Sequence, residues 1–435
     1  MKIRTIILLF VAVAMAWVLY SIAFWGRPVP FRYGVAERLD RNGDGSPDLW
    51  RLRDSGDDHA NIVELDTDSD GRVDRLQFGN PETSVLDLGE TSANRASRRK
   101  LAVCLDGIPY EDMAALWDQG YFREFSRPGK LISVFPSLSD VALTEVLHSG
   151  GVPGYENLYF DRQRNRIAGG ATSTVSKVRM PYLDALDYDE PGIFKGIAYV
   201  LPVKTYHADL GRFLKRYSAT SQMTYKSHVC STDSVCHIMS RGEFRKYLLE
   251  VDHLLRQIFI QKKGQLDFVV FSDHGNSHVD TNRRLDLDGF LAKHGFRVES
   301  SIKSESSVVV PRFGLVGAMA LYFEPQNTET LAELLTGLEG VDFTTYQEDG
   351  TVRVVSRVGK ASISSPDEGR RLRYQALSGD PLQLKPILER LARQGLLGAD
   401  GHATSEAWFE ATAEHEYADP VNGLYFGVTN HVTNR

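Results

Sequence analysis

The sequence predicts an α/β fold: a mostly parallel central sheet with helices on both faces. Three observations carry this. From Arg98 onward, short apolar runs alternate with helical patterns, as expected when each strand is followed by a crossover helix. Three of those runs, "KLAVCLDG", "GKLISVFPSLSD" and "LDFVVFSDHG", end beside residues capable of chemistry. Before the last lies one long segment, "EFRKYLLEVDHLLRQIFIQ", whose apolar residues recur at helical spacing. Strands are therefore expected to end at Asp106, near Phe135 and at Asp273, and "GAMALYFEP" is a further strand candidate. In such sheets ligands sit outside the carboxyl ends of the strands.

The chain has 435 residues, 42% hydrophobic and 25% charged, more than one small core can accommodate. Its formal charge of -7 is concentrated: Asp40 to Asp74 holds eleven acids and four bases, and the remainder is balanced. No basic patch or arm suggests a nucleic-acid partner. The expected divisions are a membrane segment at 1–30, an acidic repeat region at 31–97 and a main domain at 98–435. Residues 170–228, including "YDEPGIFKGIAYVLPVKTYHADLGRFLKRY", are expected to form a cap insertion bearing on substrate choice.

Thr5 to Trp25 is a run of 21 uncharged residues after Lys2 and Arg4. That length suits a membrane-spanning helix and exceeds the apolar core of a cleaved signal. The expectation is a signal-anchor, with the two bases in the cytoplasm and the rest of the chain outside it, periplasmic or extracellular. Secretion after cleavage is the alternative. Among the three cysteines, Cys104 reads as a buried hydrophobe, and Cys230 and Cys236 form a candidate disulfide.

Two acidic stretches share one pattern, "DRNGDGSPD" and "DTDSDGRVD". Asp40, Asn42, Asp44 and Asp48 in the first match Asp66, Asp68, Asp70 and Asp74 in the second, with glycine at the sixth position. Alternate oxygen-bearing side chains around a tight turn suit a hard cation, so calcium is the expected ligand. The bidentate glutamate of a complete EF-hand is absent, because Arg51 and Gln77 stand there. The stretches resemble the short calcium loops of dockerin-like or thrombospondin-type repeats. The alternating runs that follow, "LWRLR" and "VDRLQFG", read as strands.

The main domain carries donors for a transition metal. "SDHG" puts Asp273 and His274 side by side, "STDSVCH" puts Asp233 and His237 on one face if helical, and "CLDG" supplies Asp106. Ser139, in "FPSLSDVALTEVL", reads as the cap of a helix. In order, "CLDG", "PSLSD", "TDSVCH" and "SDHG" resemble the alkaline phosphatase superfamily, in particular its type I phosphodiesterase/nucleotide pyrophosphatase branch, over Leu101 to Phe323.

That resemblance implies a site for two divalent metals, zinc by ligand type. One is held by Asp106, Asp273, His274 and Ser139, the other by Asp233, His237 and a further histidine, for which His402, His415 and His431 are candidates. It implies that Ser139 is the nucleophile for a phosphoester substrate, through a phosphoserine, and that Asn157 of "GYENLYFD" holds a phosphoryl oxygen. Two other outcomes remain on the sequence: a calcium-stabilised, catalytically impaired surface binding protein on the same fold, or a phospho-group transferase.

Overall fold

A computed structural model describes residues 25–79, 84–88, 98–151, 154–155, 158–169, 180–278, 284–312 and 316–429. Two compact units share the chain, Met1–Leu131 with Leu186–His278, and Ile132–Ala185 with Val279–Arg435. Residues 98–435, expected from sequence as one domain, are thus divided between them. The predicted membrane segment falls at residues outside the described ones, apart from its last few. Among the described residues no helix is long and apolar enough to cross a membrane.

In the first unit, β1 (Tyr33–Leu39), β2 (Leu49–Asp54), β3 (Asp57–Leu65), β4 (Arg75–Phe78) and β5 (Ser84–Asp87) form an antiparallel sheet in chain order. The acidic stretches are its β1–β2 and β3–β4 loops. Trp50, Leu52, Ile62 and Leu76 are buried in one cluster with Phe259 and Ile260. The latter two lie near the end of α6 (Arg241–Gln261), the long helix expected from sequence. Ser240 and Glu243 close a reciprocal capping box at its start, which satisfies two otherwise orphaned backbone donors.

The parallel sheet of this unit has the order β10-β6-β9, with β6 (Arg99–Leu105) between β10 (Leu266–Phe271) and β9 (Thr224–Val229). Leu101, Val103 and Leu105 alternate onto one face and join a core with Tyr206, Leu210, Phe213, Leu248, Val251 and Leu255. Those residues come from α6 and from α4 (Pro202–Ala219). The first unit also contains α1 (Tyr110–Asp118), α3 (Gly192–Ala198) and α5 (Ser231–Ile238). Within the 170–228 segment, α4 supplies core residues and most of β9 belongs to the parallel sheet.

The second unit is built around an antiparallel sheet, β13 (Phe343–Glu348), β14 (Thr351–Ser356), β15 (Gly359–Ser364), β16 (Arg371–Gly379) and β17 (Ala403–Thr404). Its core joins Val354, Ile363 and Leu372 to Leu391 of α9 (Lys385–Arg393), Trp408 of α10 (Ser405–Thr412) and Leu424 of α11 (Pro420–Thr429). Smaller pieces are α2 (Ser139–Val146), the hairpin β7 (Leu158–Asp161) with β8 (Arg166–Gly169), α7 (Leu287–Lys293), the parallel pair β11 (Arg297–Glu299) and β12 (Ser307–Val309), and α8 (Thr328–Leu335).

The expected mostly parallel sheet is therefore corrected in extent. Among the described residues three strands form the parallel sheet, and the two larger sheets are antiparallel; their connections are too short for a crossover, except that between β16 and β17, which holds α9 and still returns antiparallel. Residues 130–135 form no strand, and in the "GAMALYFEP" run Tyr322 makes only an isolated bridge to Val309. Cys104, Cys230 and Cys236 are free thiols, so the candidate disulfide is absent.

Candidate metal centre

Register builds the site. Phe271 pairs with Cys104 and Cys104 with His228 across the parallel sheet. Side chains in register share a face, so two residues beyond the first pair Asp273 arrives beside Asp106, with His228 on the other flank. Ligand atoms of Asp106, Asp273 and His274 all lie within 4.8 Å of one another. Asp106 and Asp273 are buried.

Hydrogen bonds fix each group. The Gly107 amide donates to Asp273 Oδ1 at 3.3 Å, and the His274 amide donates to the same oxygen at 3.0 Å. Ser272 Oγ accepts from the Ile108 amide at 2.9 Å and donates to the His274 carbonyl at 2.6 Å. His274 Nδ1 lies 3.0 Å from the Gly275 carbonyl, which can only accept, so Nδ1 carries a proton. Its Nε2 is thereby turned to Asp106 Oδ1 at 3.3 Å and Asp273 Oδ2 at 3.8 Å.

Electrostatics follow from this crowding. Burial and the Asp106 charge push the Asp273 carboxyl up to about 6. Burial opposes ionisation of Asp106 too, yet hydrogen bonds to His228 and His274 hold its carboxyl well below the usual range. Burial also disfavours an imidazolium at His274, but the Asp106 hydrogen bond and the two carboxylate charges outweigh it and raise His274 to about 11. A buried pair of carboxylates drawing protons onto a neighbouring imidazole is a donor set that a divalent cation fits, since the cation would supply the same positive charge.

Asp233 and His237 sit one helical turn apart on α5, with His237 Nε2 3.2 Å from Asp233 Oδ1. Gly107 ties this pair to the first group. Its φ is +72°, and a Cβ there would lie 2.4 Å from Asp233 Oδ1. Thr232 Oγ1 donates to the Asp106 carbonyl at 2.8 Å. The five residues Asp106, Asp233, His237, Asp273 and His274 thus belong to one neighbourhood of the first unit.

Ser139 belongs to the second unit. It is the first residue of α2 and not its cap: Leu138 has the extended backbone of the capping position, and its carbonyl accepts from the Ala142 amide at 2.9 Å. The next residue, Asp140, is buried and accepts from the Tyr182 hydroxyl at 2.5 Å. Asn157 and His431 lie outside the described residues. His402 and His415 are in the second unit, where His402 Nδ1 is 3.1 Å from Asp400 Oδ2 and the Tyr417 amide donates to His415 Nδ1 at 3.1 Å.

Sequence reasoning missed His228 and Tyr199. His228 Nδ1 is 2.8 Å from Asp189 Oδ1, which also pairs with Lys195 Nζ at 2.8 Å. Burial opposes protonation of His228, but its bonds to Asp106 and Asp189 hold it up to about 10. The available signal was a histidine near the end of a buried strand, five residues before Asp233. The Tyr199 hydroxyl donates to Asp233 Oδ2 at 2.6 Å. Cys104 and His228 also lie within ligand distance of Asp273, but burial holds the Cys104 thiol well above its usual range and carboxylates occupy both His228 nitrogens.

The two acidic loops repeat one another in geometry. Asp40 accepts from the amides of Gly43 and Gly45 at 2.6 and 2.9 Å, and Asp66 from those of Ser69 and Gly71 at 2.7 and 2.8 Å. Asp48 accepts from the Arg41 amide and Asp74 from that of Thr67. Asn42 Nδ2 donates to Ser69 Oγ at 3.0 Å, joining the loops, and also to Asp44. Carboxylate oxygens of Asp66, Asp68 and Asp70 lie within 4.8 Å of one another, a hard-oxygen set of the kind calcium takes.

Residues 201–357 match the family model for type I phosphodiesterase / nucleotide pyrophosphatase. The match supports the nucleotide pyrophosphatase/phosphodiesterase branch of the alkaline phosphatase superfamily, and with it hydrolysis of phosphoesters. It spans Asp233, His237, Asp273 and His274 and begins after Asp106, Ser139 and Asn157. No curated protein and no solved structure matches the chain.

Proposed function

We propose that the chain is a metal-dependent hydrolase of phosphoric esters that works through a phosphoryl-Ser139 intermediate. The observation that supports this most is the convergence of Asp106, Asp273 and His274 within 4.8 Å at the ends of adjacent parallel strands, in the order the resemblance requires. Asp106, Asp273 and His274 would hold one divalent cation and Asp233 with His237 a second, zinc by ligand type. Such cations neutralise phosphoryl charge and favour the ionised form of a bound hydroxyl.

The chain's own groups have separable roles. His228 and the Gly107 amide hold Asp106 and Asp273 in orientation. Ser139 Oγ attacks phosphorus, the alcohol of the ester leaves, and water then splits the phosphoserine bond to release phosphate or a monoester and restore the hydroxyl. Ser139 is assigned from motif order and from its place at the start of α2. Asn157 would donate to a phosphoryl oxygen. The acidic loops bind calcium and order the small sheet, and residues 5–25 attach the chain to a membrane with the remainder outside the cytoplasm.

Metal content and turnover test this reading together. Purified protein is expected to carry zinc and to hydrolyse phosphodiester or phosphomonoester substrates, and Asp273→Asn to lose both. Bound calcium with no zinc and no turnover would favour the surface-binding alternative. Transfer to an added alcohol in preference to water would favour a transferase.

A further inference from the structure

The turn between α3 and α4 presents three consecutive large apolar residues to solvent: Tyr199, Val200 and Leu201 are 45, 77 and 41% exposed. The amides of Val200 and Leu201 both donate to the Ile197 carbonyl at 2.9 Å, so the tip is a formed turn. The hydrophobic effect opposes such exposure, and a contiguous apolar projection signals a partner.

Where the apolar N-terminal run ends identifies the partner. The uncharged stretch that begins at Thr5 closes on Trp25. The Trp25 ring stacks on Phe194 of α3, centroids 5.7 Å apart at 28°. Gly26 follows with φ +68° and packs so closely on the first turn of α4 that a Cβ would lie 2.2 Å from the Lys204 carbonyl oxygen. The helices on either side of the exposed turn therefore grip the end of the run. From Gly192 to Thr205 the sequence has no acid; Lys195 is held by Asp189, and Lys204, in the first turn of α4, is the cation of this stretch that anionic headgroups suit. Tryptophan and tyrosine are the side chains that favour the boundary between hydrocarbon and water.

We propose that the Tyr199–Leu201 turn is a bilayer-contact surface, seated in the interface of the membrane that residues 5–25 enter. It rests on that reading of residues 5–25. Through the Tyr199–Asp233 hydrogen bond, the contact holds the Asp233–His237 pair at the lipid–water boundary.

The test uses the full chain with an environment-sensitive fluorophore on Val200→Cys, in vesicles of phosphatidylcholine and phosphatidylglycerol. Unsubstituted protein gives the thiol blank, and a label on Met223→Cys, at the opposite end of β9 and 53% exposed, is the aqueous control. Co-flotation first reports membrane attachment, and failure to float would remove the attachment reading and the proposal with it. In floating protein, label 200 is expected to shift to the blue and to lose emission to nitroxide-bearing lipids, while label 223 responds only to aqueous iodide. Quenching of label 200 by iodide would overturn the proposal. So would shielding from both quenchers, which would mean that residues 1–24 or a second copy covers the turn.

Discussion

His228 Nε2 lies 3.0 Å from Asp106 Oδ2, with both side chains buried. The far side of the imidazole is fixed by Asp189, itself paired with Lys195. This row leaves Asp106 Oδ1 as the oxygen facing His274. Groups that orient a ligand typically change metal affinity by about 10–100-fold when removed. His228→Ala is therefore expected to weaken zinc binding by about that factor in a chelator competition, with His228→Gln losing less because its amide can still donate. Unchanged affinity in both variants would assign His228 a purely packing role.

Gly107 is where the turn after β6 meets Asp233. Alanine there would combine a left-handed backbone with a Cβ 2.4 Å from Asp233 Oδ1. The expected cost is about 1–3 kcal/mol, read as a lower denaturant midpoint, together with weaker metal binding at the Asp233–His237 pair.

Arg256 is buried among Glu64, Glu124 and Asp252, at 3.4, 2.6 and 2.9 Å. Removing this cation leaves buried carboxylates uncompensated, so Arg256→Ala should cost about 3–5 kcal/mol, measured by urea unfolding.

The same cluster predicts a pH dependence. Burial, then the neighbouring Glu124 charge, raises the Glu64 carboxyl well above its usual value, and burial raises Glu124. Native protein then holds more protons than unfolded chain above the unfolded carboxylate value of about 4.3. Stability from these groups is present below that value and declines as pH rises toward their folded values. Glu64→Gln should flatten the fall in urea midpoint as pH rises above the unfolded carboxylate value of about 4.3. An unaltered slope would place the proton elsewhere.

If the acidic loops hold calcium, the ion stabilises the folded form by mass action. The thermal midpoint of the N-terminal sheet should rise on calcium addition and fall with a calcium chelator. The double variant Asp66→Ala/Asp68→Ala should lose much of that shift while Asp40 and Asp44 keep the first loop's oxygens.

Much of the architecture was legible because local signals agreed. The long apolar periodicity of "EFRKYLLEVDHLLRQIFIQ" became all but the first two residues of α6. The run before Asp273 lacks helical periodicity and became β10. The run through Leu131 to Phe135 looked equally strand-like, yet Leu131 is 65% exposed and no strand pairs there, since an apolar run by itself does not supply a neighbour to bond. Asp106, Asp273 and His274, which the fold brings within 4.8 Å of one another, were singled out by type and order, but His228 was not. Its role arises from parallel register with Cys104, a tertiary relation that no local spacing reports. Nor could spacing reveal that Leu138, and not Ser139, caps α2.

The most direct test of the central claim is phosphodiester turnover by zinc-loaded wild type beside Ser139→Ala. The account predicts that wild type turns over and that the variant, with zinc content unchanged or reduced by one ligand's worth, is slower by at least about a thousandfold. Equal turnover by the two proteins would contradict it.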